Sequence, residues 1–208
     1  MFVWVNTGLT SHFYLYPFLD YNIPSKGGTR GEEQQVMEFT EVIRNRHSIR
    51  TFSDQPVEQE KLQQILETAN LAPSAGNLQA YEIYAVTDLK KRDGLSCAAL
   101  AQDYIAKAPV ALVFCTHPEL TEGKYTERGT RLYTVQDATI ACTFAMLAAT
   151  NLGLGCVWVG TFDEKVVRLI IGAPERQVPV VILSIGYPGE FPDQHPRRPL
   201  DQLVHWVK

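Results

Sequence analysis

Apolar residues recur every three or four positions in several stretches of the chain, the spacing that places them on one face of a helix. The first stretch, 34–46, predicts a helix with a buried stripe made of Val36, Phe39, Val42 and Ile43. The second predicts a helix that begins near Pro56, ends before Pro73, and buries Leu62, Ile65, Leu66 and Ala69. A third stretch, 89–108, is expected to be mostly helical with a break near Gly94.

Short apolar runs bounded by proline, glycine or polar residues predict the strands. These are expected at 81–86, 109–115, 156–159 and 178–185, and the second is apolar throughout, as in a strand buried on both faces. Residues 134–151 predict the clearest helix, apolar nearly all round and therefore central in the domain or at a subunit interface. A short helix is expected at 163–171, and a loop or mobile lid at 117–129. Together these elements predict an α+β fold, or a three-layer one, in which helices cover a sheet.

Length and charge limit the organisation of the chain and its partners. The 208 residues predict one domain over 32–208 that follows an extension and linker over 1–31. The extension lacks the features of a signal peptide and is too short to span a bilayer. It either packs on a partner or ligand pocket or is a poorly ordered tail. With 19 basic and 23 acidic residues the net charge is −4, which disfavours binding to nucleic acid or to an anionic membrane through bulk charge.

The four cysteines show no metal-binding spacing. No two of them form a CxxC pair, so the sequence gives no support to a zinc or iron–sulfur site. Two lie inside apolar runs. We therefore expect reduced and mostly buried thiols in a cytoplasmic protein at Cys97, Cys115, Cys142 and Cys156.

Basic residues near the start of the chain are the first candidates for a binding site. Arg46, Ser48 and Arg50 alternate, so an extended segment would project all three in the same direction. Two guanidinium groups and a hydroxyl converging on one point suit a phosphate. The alternative is that these cations only complement the negative end of the preceding helix.

Three further segments combine small, amide or basic residues. The loop 72–79 offers close backbone approach and polar donors to a flat ligand, or is an ordinary helix-to-strand connection. The glycines of 152–160 follow a helix and precede a strand, the reverse of the order in a dinucleotide-binding fingerprint, so they indicate a strand bracketed by Gly155 and Gly160. The basic turn 196–200 either contributes a cationic contact to the same anion or is simply exposed to solvent.

The order and spacing of these segments over about 35–204 resemble the nitroreductase family of FMN-dependent oxidoreductases. The resemblance implies a three-layer fold with a mixed, mostly antiparallel sheet, and an intertwined homodimer with two FMN sites at its interface. It also implies that a C-terminal tail wraps around the partner subunit. The cofactor-binding residues that it implies are Arg46, His47, Ser48 and Arg50 with Arg197 and Arg198 around the phosphate, ribityl chain and pyrimidine edge, Pro73, Ser74, Ala75 and Asn77 from the other subunit over the ring, and the backbone of Val159 and Gly160 near nitrogen-5.

The activity that the resemblance implies is hydride transfer from NADH or NADPH, through bound flavin, to a nitroaromatic, quinone or similar acceptor in a ping-pong scheme. Such chemistry needs no acid–base pair, and Arg50 is the candidate for stabilising charge on the reduced ring. Tyr125, Arg128 and Tyr133 could contact substrate, or could belong to a solvated loop. The alternatives are a specialised flavoenzyme of the same fold, such as a dehalogenase or a flavin-consuming enzyme, and a non-catalytic FMN-binding or storage protein.

Overall fold

The computed structural model describes residues 37–208, so the predicted extension and Val36 lie outside the described residues. The strands are β1 (Tyr81–Val86), β2 (Val110–Thr116), β3 (Gly155–Val159) and β4 (Pro179–Gly186). The helices are α1 (Phe39–Asn45), α2 (Gln59–Asn70), α3 (Leu89–Ala98), α4 (Tyr104–Lys107), α5 (Glu119–Glu122), α6 (Thr134–Asn151) and α7 (Glu164–Ile171). Short 3-10 turns occupy Ala75–Asn77 and Leu200–Gln202, and one π-helical turn, Gly129–Tyr133, leads into α6.

The four strands form one sheet in the order β1-β2-β4-β3, and all neighbouring strands are antiparallel. The central pair places Leu112 opposite Leu183. The described chain also has one isolated parallel bridge, between Ser48 and Cys156. The predicted antiparallel character of the sheet is confirmed, whereas a parallel strand pair, expected from the term mixed, is replaced in the described chain by this isolated bridge.

Helices cover both faces of the sheet, which gives three layers. Along β2, Leu112 and Phe114 face the core that includes α2 and α6, whereas Ala111 and Val113 face the core of α3, α4 and α7. Strand residues alternate between faces, so a strand packed on both sides must be apolar throughout. Fully burying a side chain such as Phe114 stabilises the fold by roughly 1.5–3 kcal/mol. The α+β class and the buried second strand are confirmed.

The α6 helix has the predicted bounds. Together with the turn before it, it forms the 23-residue stretch Gly129–Asn151, which is long and apolar enough to cross a membrane by length and composition alone. In this structure α6 packs against α2 and the sheet. This packing agrees with the predicted central position in the domain. The predicted alternative, a subunit interface, stays a prediction.

Two helix predictions are wrong in detail. The stripe on α1 is not buried within the chain, since Phe39 is 72% and Ile43 47% exposed and Val42 alone among the α1 residues is buried. The helix does not break near Gly94, because this glycine packs against Ile170 of α7, where a Cβ atom would lie 3.2 Å from the Ile170 side chain. The chain leaves the helix after Ala98 instead, through two left-handed residues, Leu100 and Ala101.

The remaining predictions differ less. The second helix begins three residues after Pro56, with Glu58 at its N-cap. The stretch 117–129 holds the one-turn helix α5 as well as loop. All four thiols are free, and only Cys97 is exposed, as expected.

Candidate functional site

The segment after α1 is extended and lies against the first residues of β3. The Ile49 amide donates to the carbonyl of Cys156 at 3.0 Å, and the Ile49 side chain is buried beside Gly155. Because an extended chain alternates, burial of Ile49 turns its neighbours to the other side. Arg46, Ser48 and Arg50 accordingly line one cleft, as the spacing predicts.

The C-terminal tail forms the opposite wall of this cleft. The Gln194 side-chain amide donates to the carbonyl of Arg44 at 3.0 Å and ties the tail to the end of α1. Arg197 lines the cleft, whereas Arg198 donates to the carbonyl of Gln202 at 2.8 Å, within its own turn. The cleft has a volume of about 320 Å³. We call it the arginine cleft, and its lining includes Arg46, His47, Ser48, Arg50, His195 and Arg197.

The charge of the arginine cleft is mostly uncompensated. Within residues 37–208, Arg46, Arg50 and Arg197 form no salt bridge. Arg197 comes from the tail and not from a helix end, so complementing the negative end of α1 does not explain the cluster. The Asp193 carboxylate also lines the cleft, but it forms no salt bridge with these arginines within residues 37–208. Three converging guanidinium groups that outnumber the one lining carboxylate favour a phosphate.

A carboxylate fixes the backbone at the rim of this cleft. Glu190 Oε1 accepts from the Arg50 amide at 2.5 Å and from the Thr51 amide at 3.0 Å. These hydrogen bonds, the one to the Arg50 amide first, lower the pKa of Glu190. The segment that carries Arg50 is therefore held at both ends, by β3 on one side and by the turn after β4 on the other.

A second cleft, of about 690 Å³, lies between the loop after α2 and the start of α6. The rings of Tyr125 and Tyr133 meet edge to face with centroids 5.1 Å apart, and the Arg128 guanidinium lies 5.8 Å from the Tyr133 centroid. These aromatic walls offer apolar surface to a flat ligand. We call this the tyrosine cleft, and its lining includes Pro73, Ser74, Ala75, Tyr125, Tyr133 and Asp137.

The loop that borders the tyrosine cleft, residues 74–79, has unusual backbone geometry. Gly76, Asn77 and Gln79 have φ values of 58°, 59° and 45°, in the left-handed region. The Gln79 side-chain amide donates to the carbonyl and side-chain oxygens of Asn77 and to the Ser74 hydroxyl, which closes the loop on itself. The oxygens of Asn77 accept hydrogen bonds within this network, and Asn77 does not line either described cleft.

Three residues that fix this loop were not predicted as site residues. Asp137 accepts from the Ala75 amide at 2.9 Å, Lys124 donates to the Gly76 carbonyl at 3.1 Å, and Gln79 forms the network above. Asp137 carried a signal in the sequence, as the one charged residue of an otherwise apolar helix. Gln79 lies in the loop 72–79, whose amides were noted as polar donors to a ligand and not as contacts within the loop, and Lys124 carried no signal.

The predicted backbone donors lie at the end of β3. Val159 is buried and Gly160 is exposed, and a Cβ atom at Gly160 would meet only the Trp158 ring nitrogen, at 3.7 Å. Gly160 therefore leaves room for close approach of another group. Neither residue lines the two clefts described above, and the two clefts share no lining residue.

Helices on both faces of an antiparallel sheet, an arginine cleft and a separate aromatic cleft define a small-ligand-binding α+β protein. The nitroreductase family model matches residues 43–102 and 96–187 of the chain. The NADPH-flavin oxidoreductase of Vibrio harveyi is 31% identical over 175 residues, covering 79% of this chain and 72% of the relative. The FMN reductase (NADPH) of Bacillus subtilis strain 168 is 29% identical over 178 residues, covering 79% and 72%.

A solved structure agrees with these matches. The Vibrio harveyi NADPH:FMN oxidoreductase complexed with NAD⁺ superimposes with a TM-score of 0.76 at 29% identity, covering 82% of this chain and 77% of that one. The chain belongs to the nitroreductase family. The family resemblance drawn from the sequence is thereby confirmed.

Proposed function

We propose that the protein is an FMN-dependent oxidoreductase that takes hydride from NADH or NADPH and passes it to an electron-poor acceptor, such as a nitroaromatic or a quinone. The observation that carries this proposal is the convergence of Arg46, Ser48, Arg50 and Arg197 on one cleft. The family assignment and the relatives named as flavin reductases support it.

The residues of the arginine cleft fit the phosphate of FMN. Arg46 and Arg197 approach from opposite walls and Ser48 adds a hydroxyl, so the cleft can surround a dianion with charge-assisted hydrogen bonds. FMN, when bound, supplies hydride acceptance and donation, which no side chain of the protein provides. The protein binds the cofactor, orients it and sets its electrostatic surroundings.

Arg50 has the position for an electrostatic role. Its backbone is held by Glu190 and its exposed guanidinium is free of salt bridges within residues 37–208. A cation at the flavin's pyrimidine edge stabilises negative charge that develops on reduction. Val159 and Gly160 would present backbone donors near nitrogen-5. Arg198 is the weaker candidate for the phosphate because its guanidinium already donates within the tail.

The tyrosine cleft supplies the ring-covering and substrate side of the proposal. Pro73, Ser74 and Ala75 line it together with Tyr125 and Tyr133. The aromatic rings would pack against a planar nicotinamide or acceptor. Arg128 lies beside the Tyr133 ring and does not itself line the cleft, and its charge would favour ligands that carry negative charge. Asn77 would act mainly by stabilising the loop through Gln79.

Within one chain the arginine cleft and the tyrosine cleft share no lining residue. This separation supports a homodimer in which each FMN site takes residues from both subunits. Large apolar side chains remain exposed on the described chain, namely Phe39, Ile43, Phe191, Leu200 and Trp206. Several lie on the tail, which would wrap around the partner and cover them. The protein would act in the cytoplasm on small molecules, without nucleic-acid or membrane partners.

Two measurements test the function. FMN titrated into the cofactor-free dimer should bind with one site per chain, and anaerobic NADH or NADPH should bleach the bound flavin faster than it bleaches free FMN. Tight binding without accelerated bleaching would identify a storage protein. A monomer that ignores added FMN would refute the proposal. A screen of electron acceptors with each nucleotide then defines the substrate.

A further inference from the structure

The carboxylate of Asp137 is an anomaly in the core of the protein. Asp137 is 2% exposed and is the one charged residue of α6. Its Oδ1 atom accepts from the Ala75 amide at 2.9 Å, whereas its Oδ2 atom is buried and has no hydrogen-bond partner within residues 37–208. Burying a carboxylate with so few partners is unfavourable, so the fold carries a cost at this position that packing does not explain.

The segment that Asp137 contacts is the strained part of the molecule. Left-handed backbone at a residue other than glycine persists only where surrounding structure holds it, and Asn77 and Gln79 both have it. Gln79 holds the loop internally but does not fix it to the rest of the domain. Two side chains outside the loop do so. Lys124 is exposed and reaches the loop with the end of a flexible side chain, whereas Asp137 is buried in the first turn of the central helix.

Position in α6 suits Asp137 to this task. The helix is fixed by packing on the sheet and on α2, so a contact from its first turn ties the loop to the most rigid part of the fold. Asp137 also lines the tyrosine cleft beside Pro73, Ser74 and Ala75, so the loop that it holds is the one that borders the ligand.

We propose that Asp137 is a positioning residue, which holds the 74–77 loop in its ligand-binding conformation before FMN or substrate arrives. The proposal rests on the proposed function and adds to it the residue that preorganises the ring-covering loop. Asp137 acts through the Ala75 amide and takes no part in hydride transfer. Its removal therefore weakens binding of the ligands that the loop borders, and leaves turnover of the fully loaded enzyme nearly intact.

Three variants of the FMN-bound dimer test this. Asp137→Ala removes the acceptor, and Asp137→Asn keeps an acceptor oxygen of the same reach. Thr116→Val is the matched control, because Thr116 is 4% exposed, its hydroxyl accepts from the Val178 amide at 3.0 Å, and it lines neither cleft. The FMN dissociation constant, the KM for NAD(P)H and kcat at saturating FMN are measured for each.

We expect Asp137→Ala to raise the FMN dissociation constant and the KM by about tenfold, with kcat at saturating FMN within about twofold of wild type. Asp137→Asn should recover affinity to within about threefold, and Thr116→Val should lower thermal stability without changing affinity. Equal affinity in wild type and Asp137→Ala would overturn the proposal. So would an asparagine variant as weak as the alanine variant.

A second measurement does not require the alanine variant to fold. Amide hydrogen exchange at Ala75 in the wild-type protein should be slow both before and after FMN is added, because Asp137 holds this amide in both states. Fast exchange that becomes slow only with FMN would refute preorganisation. Failure of the wild-type protein to bind FMN at all would instead refute the proposed function, so the two failures are distinguishable.

Discussion

Replacing Gly155 by alanine tests how closely the arginine-bearing segment must approach β3. A Cβ atom at Gly155 would lie 2.8 Å from Ile49 Cγ1 and 2.9 Å from both Ile49 Cβ and Cγ2. Because Cβ of Ile49 is itself too close, a different Ile49 rotamer cannot relieve the overlap. Ordinary contact begins at 3.4 Å, so the backbone of the two segments must separate by about 0.6 Å, the difference between 3.4 and 2.8 Å.

This separation acts on the site as well as on the core. Overpacking of this size costs about 1–3 kcal/mol of unfolding free energy. Ser48 and Arg50 flank Ile49 and move with it, so the contacts that we propose for them, with the phosphate and with the pyrimidine edge of FMN, would lengthen. We expect the FMN dissociation constant of Gly155→Ala to rise about tenfold, which corresponds to about 1.4 kcal/mol.

The assay is FMN fluorescence quenching, with stability followed by urea denaturation. Gly172→Ala is the matched control, since Gly172 has a φ of 71°, ends α7, and has open space within 4 Å of the position that a Cβ atom would take. It should lose about 1 kcal/mol of stability with unchanged FMN affinity. If Gly155→Ala loses stability but binds FMN as wild type does, the reasoning that couples Ile49 to the arginine cleft is refuted.

Three more predictions concern the arginines of the tail, the cysteine thiols and the Glu190 carboxylate. Arg197→Ala should weaken FMN binding about tenfold and Arg198→Ala less than threefold, measured by the same titration, and the reverse order would contradict the assignment of the cleft wall. One thiol per chain, that of Cys97, should react quickly with a disulfide reagent at pH 8. The other three thiols should react slowly because burial raises the pKa of Cys115 and Cys156 to about 12 and that of Cys142 well above its usual value. Three fast thiols would contradict the burial. Amides donating to Glu190 lower its pKa below 4.5, so its contribution to stability is present above pH 4.5 and is lost as the pH falls through the lowered folded-state pKa. Glu190→Gln should therefore flatten the acid side of the stability curve, and an unchanged acid side would show that this carboxylate is not linked to folding.

Local patterns were sufficient where one element determines its own environment. The bounds of α6 follow from its apolar run and from Gly153, which has a φ of 75° just past its end. The common direction of Arg46, Ser48 and Arg50 follows from alternation in an extended chain. These features need no knowledge of the rest of the fold.

Features that depend on distant contacts were not predictable from the pattern. The exposure of Phe39 and Ile43 depends on what packs on α1, which helical spacing does not specify. The contact of Asp137 with Ala75 joins residues 62 positions apart, and nothing near either residue indicates the other. Whether Arg197 or Arg198 faces the cleft depends on the turn at Leu200–Gln202, which accepts a hydrogen bond from only one of them.

The bridge between Ser48 and Cys156 also bears on how the protein avoids aggregation. In the order β1-β2-β4-β3, β3 is an outermost strand, and an outermost strand with free amides and carbonyls is a template onto which other chains can add. The Ile49 amide donates a hydrogen bond to one of these carbonyls, that of Cys156 at the start of β3. The Ile49 side chain leaves no space beside Gly155 for a strand of another chain. The extended segment after α1 thus protects the edge of the sheet at β3 from pairing with other chains, and its other side carries Arg46 and Arg50.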